Sequence, residues 1–253
     1  MKSPKLTVVI PLGPGKNRID NVARILNEVN YSSLQMIVIQ DTADVAEIDY
    51  AKKIIDRNRH ENLILDFVSF NNPGLTRNYG MNFARGKWIA FWDSDDDPQI
   101  SEFLLMIDEA ERNNSDVAIG AFNIVDESTS HEIHISTGAA KTSLGLYLAA
   151  YPGIWRFGFK MSYVAGTSFH PFKMGEDQLF LLEAIKSTKN VYLHEGPVYR
   201  YHVGNTNQLT SESDARNKIR DSYSYLLQNR NLLETTTLRI SASNTGNERD
   251  QAF

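Results

Sequence analysis

The sequence has no cysteine among its 253 residues. Disulfides, thiolate metal sites and a cysteine nucleophile are therefore excluded, and the composition fits a reducing compartment. No apolar run reaches the roughly 18 residues that a membrane-spanning helix requires. The N-terminal apolar run stops at Pro11, which is too early for a signal peptide with a cleavage site. We expect a cytoplasmic protein without a transmembrane segment.

An excess of basic residues is also missing. The formal net charge is −5 and the sequence pI is about 5.7, whereas nucleic-acid-binding proteins usually present a basic face. We therefore expect no nucleic-acid partner. The hydrophobic and charged fractions, 42% and 23%, are ordinary for a globular protein. A chain of 253 residues is long enough for one large α/β domain.

Apolar strands alternate with amphipathic helices in the first half of the chain. The predicted strands are 5–11, 34–41, 62–70, 87–93 and 116–122, and the predicted helices are 17–29, 44–59, 74–86 and 98–114. Strands that are apolar throughout indicate a mostly parallel sheet with helices on both faces. In such α/β folds, ligands bind beyond the carboxyl ends of the strands.

The regular alternation stops after residue 120. Here we predict short helices over 143–150 and 175–187, strands over 190–196 and 197–204, and a helix over about 211–233. These segments read as a cover over one edge of the sheet, so we expect a single domain over 1–233. Residues 234–253 lack an apolar period, and we expect a flexible tail there.

Four aspartates stand together at the end of the most apolar predicted strand, in the segment WIAFWDSDDDP at positions 88–98. Carboxylates this close repel one another and raise one another's pKa. A hard divalent cation would relieve that repulsion, because Mg²⁺ and Mn²⁺ prefer oxygen ligands. The alternative is a solvated acidic turn that caps the helix after Pro98.

The segment that leads into these aspartates resembles the central motif of family 2 glycosyltransferases, in which a helix with a glycine and an Arg-Asn pair precedes an apolar strand and Asp-x-Asp-Asp. The residues at the matching places are Gly74, Arg77, Asn78, Gly86, Asp93, Asp95 and Asp96. The similarity extends in order over roughly residues 5–210. It implies the GT-A fold, a Rossmann-like, mostly parallel sheet flanked by helices. Residues 1–120 would be the nucleotide-sugar-binding half and 121–233 the acceptor-side half of one catalytic domain.

The resemblance implies a set of residues for the donor. Asp41, after the second strand, would bind the uracil of a UDP-sugar, and Pro11 and Leu12 would line the base through their backbone. Arg77 would bind the nucleotide or its phosphates, since a planar guanidinium suits them. Taken without the resemblance, Asp41 is a turn residue and Arg77 a surface charge on a helix.

The Asp-x-Asp segment would hold the rest of the donor. The resemblance places Asp93 near the ribose, with Ser94 beside it among the donor-binding residues, and Asp95 on a Mn²⁺ or Mg²⁺ ion that bridges the diphosphate. His202 lies where some members supply a further metal ligand. A lone histidine beside aromatic residues is also compatible with a purely structural role.

Two acids in the segment GED would act on the acceptor. Asp177 matches the catalytic base, which takes the proton of the incoming hydroxyl in an inverting transfer. Glu176 would orient the acceptor or cap the helix that begins there. The alternative is that both acids have no catalytic role and only interact favourably with the dipole at the N-terminus of that helix.

Some positions depart from the family pattern. Gln40 stands where the family usually has a first acid, and Thr42 with Ala43 replaces Gly-Ser, so the donor stays open. The Gln-x-x-Arg-Trp motif and the membrane helices of processive synthases are missing. We therefore expect transfer of a single sugar.

The expected function is that of an inverting, metal-dependent glycosyltransferase in polysaccharide or glycolipid biosynthesis. Its partners would be a nucleotide-sugar and a saccharide or glycolipid acceptor at the inner face of the membrane. Two alternatives remain. One is a sugar nucleotidyltransferase, suggested by Gly13, Gly15 and Lys16 after the first strand. The other is a catalytically silent nucleotide-sugar binder that serves as a partner subunit.

Overall fold

The fold is built on one mixed sheet of eleven strands. It is seen in a computed structural model that describes residues 3–141, 144–204, 220–222, 224–225, 228, 237–242 and 249–252. The strand order is β11-β10-β9-β6-β8-β4-β1-β2-β3, while β5 pairs with β9 and β7 with β6. The α/β class and the flanking helices that the sequence predicts are confirmed.

The first half of the chain forms the parallel part of the sheet. Strands β1 to β4 are Leu6–Leu12, Leu34–Asp41, Leu63–Val68 and Trp88–Phe91, and helices α1 to α3 are Lys16–Glu28, Val45–Ile55 and Pro73–Met81. β1 pairs in parallel with β2 and β4, and β2 pairs in parallel with β3. The carboxyl ends of these four strands therefore meet at one edge of the sheet.

The second half of the chain extends the sheet and covers it. Its strands are β5 Asp97–Pro98, β6 Val117–Asp126, β7 His131–Ile135, β8 Phe157–Lys160 and β9 Asn190–Val203. Its helices are α4 Ile100–Arg112, α5 Leu144–Ala150, α6 Met161–Val164 and α7 Glu176–Ser187. β8 runs antiparallel between β4 and β6, whereas β6 and β9 are parallel. The mostly parallel sheet expected from the sequence is thus parallel within β1 to β4, and the whole sheet is mixed.

Hydrophobic cores fill both faces of the sheet. One core packs α1, α2 and α4 against the strands, and the other packs α5 and α7 against the opposite face. Every residue of β1 and β4 is buried, which explains why these strands are apolar without alternation. Because both faces of the sheet are covered, polar side chains that follow the strands lie at the carboxyl ends of those strands.

Helix α3 ends earlier than the sequence predicts. The predicted helix over 74–86 stops at Met81, and the chain turns back into the sheet. A Cβ atom on Gly86 would lie 2.5 Å from the backbone nitrogen of Thr7. Gly86, the last residue of the predicted helix, therefore lies outside α3 and allows a close approach to β1.

The two strands predicted over 190–196 and 197–204 are one strand, β9. Its pairing with β6 shifts register between Gly120 and Phe122, so the two predicted strands are continuous apart from a local irregularity. The helix predicted over 98–114 begins at Ile100, because Asp97 and Pro98 pair with β9 as β5.

Two strands are described within 234–253, where the sequence led us to expect a flexible tail. Thr237–Ala242 forms β10, parallel to β9, and Arg249–Ala252 forms β11, antiparallel to β10. The open edge of β9 supplies backbone hydrogen-bonding partners that a search for an apolar period does not detect. The helix predicted over about 211–233 lies mostly outside the described residues, although 220–222, 224–225 and 228 within it are helical.

Within the described residues, none of the helices combines the length and the apolar character required to cross a bilayer.

Candidate functional site

A buried arginine joins the two halves of the chain at the carboxyl edge of the sheet. Arg77 on α3 is 5% exposed. Its Nη2 donates to Oδ1 of Asp93 at 2.8 Å and its Nη1 donates to Oε1 of Glu176 at 2.9 Å. Burial opposes the charged guanidinium, but attraction to Asp93, Glu176 and Asp177 outweighs it and raises the pKa of Arg77. Arg77 is therefore not the exposed helix charge that we considered as an alternative.

The residues that precede and follow Arg77 on one face of α3 dock the same segment. A Cβ on Gly74 would meet the carbonyl oxygen of His170 at 3.0 Å, so glycine lets the helix approach closely. Asn78 donates to the carbonyl oxygen of Phe169 and accepts from its N–H, both at 2.8 Å. Residues 74, 77 and 78 share a face by helical spacing. The Gly-x-x-Arg-Asn pattern is thus a docking face that brings residues 169–176 to the end of β4.

The acids after β4 divide into two environments. Burial raises the pKa of Asp93, and the charge of Asp95 adds to that rise, while Arg77 opposes it. Asp96 is 2% exposed, and its Oδ1 accepts from the backbone N–H of His202 at 3.0 Å. Burial also raises the pKa of Asp96 well above its ordinary value. Asp96 is therefore buried against the backbone, whereas the side chains of Asp93 and Asp95 are partly exposed, at 29% and 26%.

The helix-capping alternative for this acidic turn is wrong. The N-cap of α4 is Gln99, and it makes no side-chain capping hydrogen bond. Asp97 pairs instead with Arg24 at 3.0 Å and Arg200 at 3.6 Å. Asp97 thus pairs with arginines from α1 and β9, and it does not cap the following helix.

Asp177 and Glu176 occupy the first turn of α7, as the GED segment predicts. Glu176 is 6% exposed and is bound to Arg77. The N-cap of α7 is Gly175, without a side-chain hydrogen bond, so Glu176 is not the cap. Burial, together with the charge of Glu176, raises the pKa of Asp177 from its ordinary 3.8 to about 7. A carboxyl group with this pKa is suited to general-base catalysis near neutral pH.

Asp41 lies at the end of β2 and holds the start of α3. Its carboxylate accepts from the backbone N–H groups of Asn71 and Asn72 at 2.8 and 2.9 Å and from the hydroxyl of Thr76 at 2.9 Å. Because Thr76 precedes Arg77, Asp41 also fixes the position of the arginine.

The remaining donor residues named from the sequence end β1 or follow β4. Pro11 and Leu12 are the last two residues of β1 and are buried. Ser94 is 4% exposed, and its carbonyl oxygen accepts from the amide of Asn21 at 3.1 Å. The same amide donates to the carbonyl oxygen of Asp96 at 2.8 Å. Asn21 on α1 thus shapes the backbone of the acidic turn.

His202 contacts the acidic turn through its backbone. Its N–H donates a hydrogen bond to Asp96, while its ring nitrogen Nδ1 is hydrogen-bonded to the carboxylate of Glu127. To reach a cation beside Asp95, the imidazole would have to leave that partner.

The carboxylates of Asp93 and Asp95 fit a magnesium- or manganese-type ion, since both offer oxygen donors close enough to interact electrostatically. Across the stretches of chain that the structure describes, no three His, Cys, Asp or Glu residues form a complete metal cage. A cation here would complete its coordination with substrate phosphates and water, which is the usual arrangement for Mg²⁺.

Sequence reasoning missed two residues of the site. The hydroxyl oxygen of Tyr199 on β9 accepts a hydrogen bond from the backbone N–H of Asp93, at the start of the acidic turn, at 2.9 Å. Arg18 on α1 donates to Oδ2 of Asp95 at 3.1 Å. An arginine directly after a glycine-rich loop was the available signal for Arg18, whereas nothing in the local sequence marks Tyr199.

Comparison with known proteins adds a family and a set of relatives. The sequence model for Glycosyl transferase family 2 matches residues 7–195. The amylovoran biosynthesis glycosyltransferase AmsB of Erwinia amylovora is 29% identical over 101 residues, which are 38% of this chain and 33% of that protein. Glycosyltransferase GlyG of Streptococcus pneumoniae is 25% identical over 137 residues, which are 53% of this chain and 44% of that protein. The matched segments span less than half the length of these curated relatives.

Solved structures share the architecture. TarS residues 1–349 of S. aureus in complex with UDP-GlcNAc superimpose with a TM-score of 0.67 at 16% identity, covering 88% of this chain and 66% of that one. TarS 1–349 in another crystal structure gives a TM-score of 0.64 at 17% identity, over 78% of this chain and 60% of that one. At this identity the likeness shows the GT-A fold.

Proposed function

The chain belongs to glycosyl transferase family 2, and on that basis we propose that it transfers one sugar from a UDP-sugar to a hydroxyl acceptor with inversion at the anomeric carbon. The observation that carries the proposal is the position of Arg77, which is bound to Asp93 at the end of β4 and to Glu176 at the start of α7. One ion-paired cluster thus joins Asp93 on the donor side to Glu176, the neighbour of the candidate base Asp177.

The donor would lie along the carboxyl edge of β1, β2 and β4. Asp41 would accept from the imide N–H of uracil, and Pro11 and Leu12 would contact the base through their backbone. Asp93 and Ser94 would hold the ribose. The UDP-GlcNAc bound to TarS supports a uridine nucleotide as the first choice to test.

A Mn²⁺ or Mg²⁺ ion would sit at Asp95, with His202 as a further ligand. When bound, such an ion supplies Lewis-acid stabilisation of the charge that develops on a leaving diphosphate. Asp95 would orient the diphosphate by holding that ion, and Arg77 would add a positive charge from beneath Asp93.

Asp177 would act as the base. Its carboxylate would accept the proton of the acceptor hydroxyl while the oxygen bonds to the anomeric carbon and the bond to the diphosphate breaks. Glu176 would hold Arg77 and help to orient the acceptor. The pKa of about 7 for Asp177 supports this role, because such a base is available at neutral pH and can take a proton readily.

The acceptor would be a saccharide or glycolipid. The name of AmsB, which assigns it to amylovoran biosynthesis, supports a role in polysaccharide biosynthesis. Contact with a membrane would then come through a lipid-linked acceptor.

The proposal is tested by calorimetric titration of UDP in the presence of Mn²⁺, with CDP as the control nucleotide, followed by measurement of UDP release from UDP-GlcNAc and other UDP-sugars with an acceptor panel. We expect UDP to bind and its release to depend on the acceptor. Absence of UDP binding would contradict the donor assignment. Pyrophosphate release from UTP and a sugar phosphate would instead indicate a nucleotidyltransferase, and binding without turnover would indicate a silent binder.

A further inference from the structure

Arg18 forms an ion pair with the carboxylate of Asp95, which is the proposed ligand of the divalent cation. Its Nη2 lies 3.1 Å from Oδ2 of Asp95, and the two side chains are 24% and 26% exposed. The pair is therefore partly shielded from water, which makes it stronger than a fully exposed ion pair. A guanidinium and a divalent cation carry the same sign of charge, so they compete for this oxygen.

The loop after β1 is built to let Arg18 reach Asp95. Arg18 lies near the start of α1, and its guanidinium lies close to Gly13. A Cβ atom on Gly13 would be 2.7 Å from Nη1 of Arg18. Any side chain at position 13 would therefore push the guanidinium away from its present place.

The other arginines near the acidic turn pair with acids other than Asp95. Arg24, also on α1, pairs with Asp97 at 3.0 Å. Arg77 remains buried between Asp93 and Glu176, so it is not available to leave. Arg18 alone among these three pairs with the residue that we assign to the metal.

We propose that Arg18 couples cation binding to nucleoside diphosphate binding. The inference rests on the proposed function. Without the nucleotide, Arg18 holds Asp95 and opposes the cation. When a diphosphate arrives with the cation, the cation takes Asp95 and Arg18 pairs with the phosphate oxygens, for which a guanidinium is well suited. Each ligand then strengthens the binding of the other, which defines a coupling free energy.

The first experiment titrates Mn²⁺ alone into the protein and follows binding by electron paramagnetic resonance, without nucleotide and without turnover. In Arg18→Gln the competitor is removed, so Mn²⁺ should bind about fivefold more tightly than to the natural protein, as expected for a partly exposed ion pair. Gly13→Ala keeps the charge but displaces the guanidinium, and it should raise the Mn²⁺ affinity in the same direction.

The second experiment measures how much Mn²⁺ increases the affinity for UDP. This factor should fall about fivefold or more in Arg18→Gln. Arg24→Gln is the matched control, because it removes an arginine of the same helix that pairs with Asp97. It should change neither the Mn²⁺ affinity nor the coupling. Thermal unfolding confirms that each variant is folded.

Equal Mn²⁺ affinities for Arg18→Gln and the natural protein, including no binding to either, would overturn the inference. An unchanged coupling factor in Arg18→Gln would also overturn it. If the natural protein binds Mn²⁺ less tightly than Arg18→Gln but binds no UDP, the competition stands and the proposed function is the part that fails.

Discussion

The guanidinium of Arg77 donates a hydrogen bond to Glu176, which lies 99 positions further along the chain. The contact is 2.9 Å long, and the two side chains are 6% and 8% exposed. The second amino group of the same guanidinium binds Asp93. The acids that follow β4 and the acids that begin α7 therefore surround one positive charge, and their relative position depends on it.

Replacing Arg77 with methionine should destabilise the protein strongly. Asp93 and Glu176 would lose their partner, and breaking a buried charge pair costs about 3–5 kcal/mol. Urea denaturation measures the loss. Arg24→Met, at an exposed pair, is the control and should cost less than about 1 kcal/mol. A loss for Arg77→Met that is no larger than the control would mean that the cluster does not stabilise the fold.

Asp177→Asn should abolish sugar transfer and leave UDP binding nearly intact. The amide cannot accept the hydroxyl proton, so kcat should fall by at least about 100-fold, the usual contribution of a general base. Steady-state kinetics and calorimetry give the two quantities. Glu183→Gln, on the same helix but paired with His170, is the control. Full activity in Asp177→Asn would remove the proposed mechanism.

The same variant should be more stable than the natural protein at neutral pH. The pKa of Asp177 is raised in the folded state to about 7, so the folded protein keeps a proton that the unfolded chain has released. The contribution of Asp177 to stability is full below its ordinary pKa and is lost as the pH rises through about 7. Asp177→Asn should therefore gain about 2 kcal/mol above pH 7 and little near pH 4. Urea unfolding at both pH values checks this, and an equal gain at both would contradict it.

The transfer rate should rise with pH. The deprotonated carboxylate of Asp177 is the active form, so kcat/KM should increase about tenfold per pH unit below its pKa and level off above about pH 7. A pH profile at fixed Mn²⁺ measures this. A rate that falls across the same range would exclude Asp177 as the base.

Asp95→Ala should lose the Mn²⁺-dependent part of UDP binding while the fold persists. Asp95 is partly exposed and pairs with Arg18 alone among the ion pairs seen in the described chain, so its removal costs about 1 kcal/mol of stability or less. Calorimetric titration of UDP with and without Mn²⁺ checks the loss. Asp97→Ala, in the same turn, should retain the Mn²⁺ effect. Equal UDP affinity in Asp95→Ala and the natural protein would contradict the metal assignment.

Much of the fold could be predicted from the sequence, because burial on both faces imposes a readable pattern on strands and helices. The predicted strand over 34–41 coincides with β2, and α7 was placed within a residue of its observed start. The strands β10 and β11 could not be predicted, because backbone pairing with a distant strand leaves no apolar period. The early end of α3 depends on the approach of Gly86 to Thr7, which is also a long-range contact.

The candidate site was predictable as a set of residue types and only partly as an arrangement. Aspartates at the end of an apolar strand point to a cation wherever that strand lies, and the order of the motifs indicates the family. Three contacts of the site join residues that are far apart in sequence. They are Arg77 with Glu176, the N–H of His202 with Asp96, and Arg18 with Asp95. Local pattern carries no information about such pairs.

The sequence by itself determined which segments bury apolar side chains and which acids stand at strand ends, because these follow from local periodicity and side-chain chemistry. Only the tertiary structure decided which charges meet, since charges far apart in sequence interact only after the sheet has placed their elements together. The same amino acids therefore have different roles here. Asp96 is buried and accepts from the N–H of His202, Asp97 pairs with the exposed Arg24, and Asp95 pairs with Arg18.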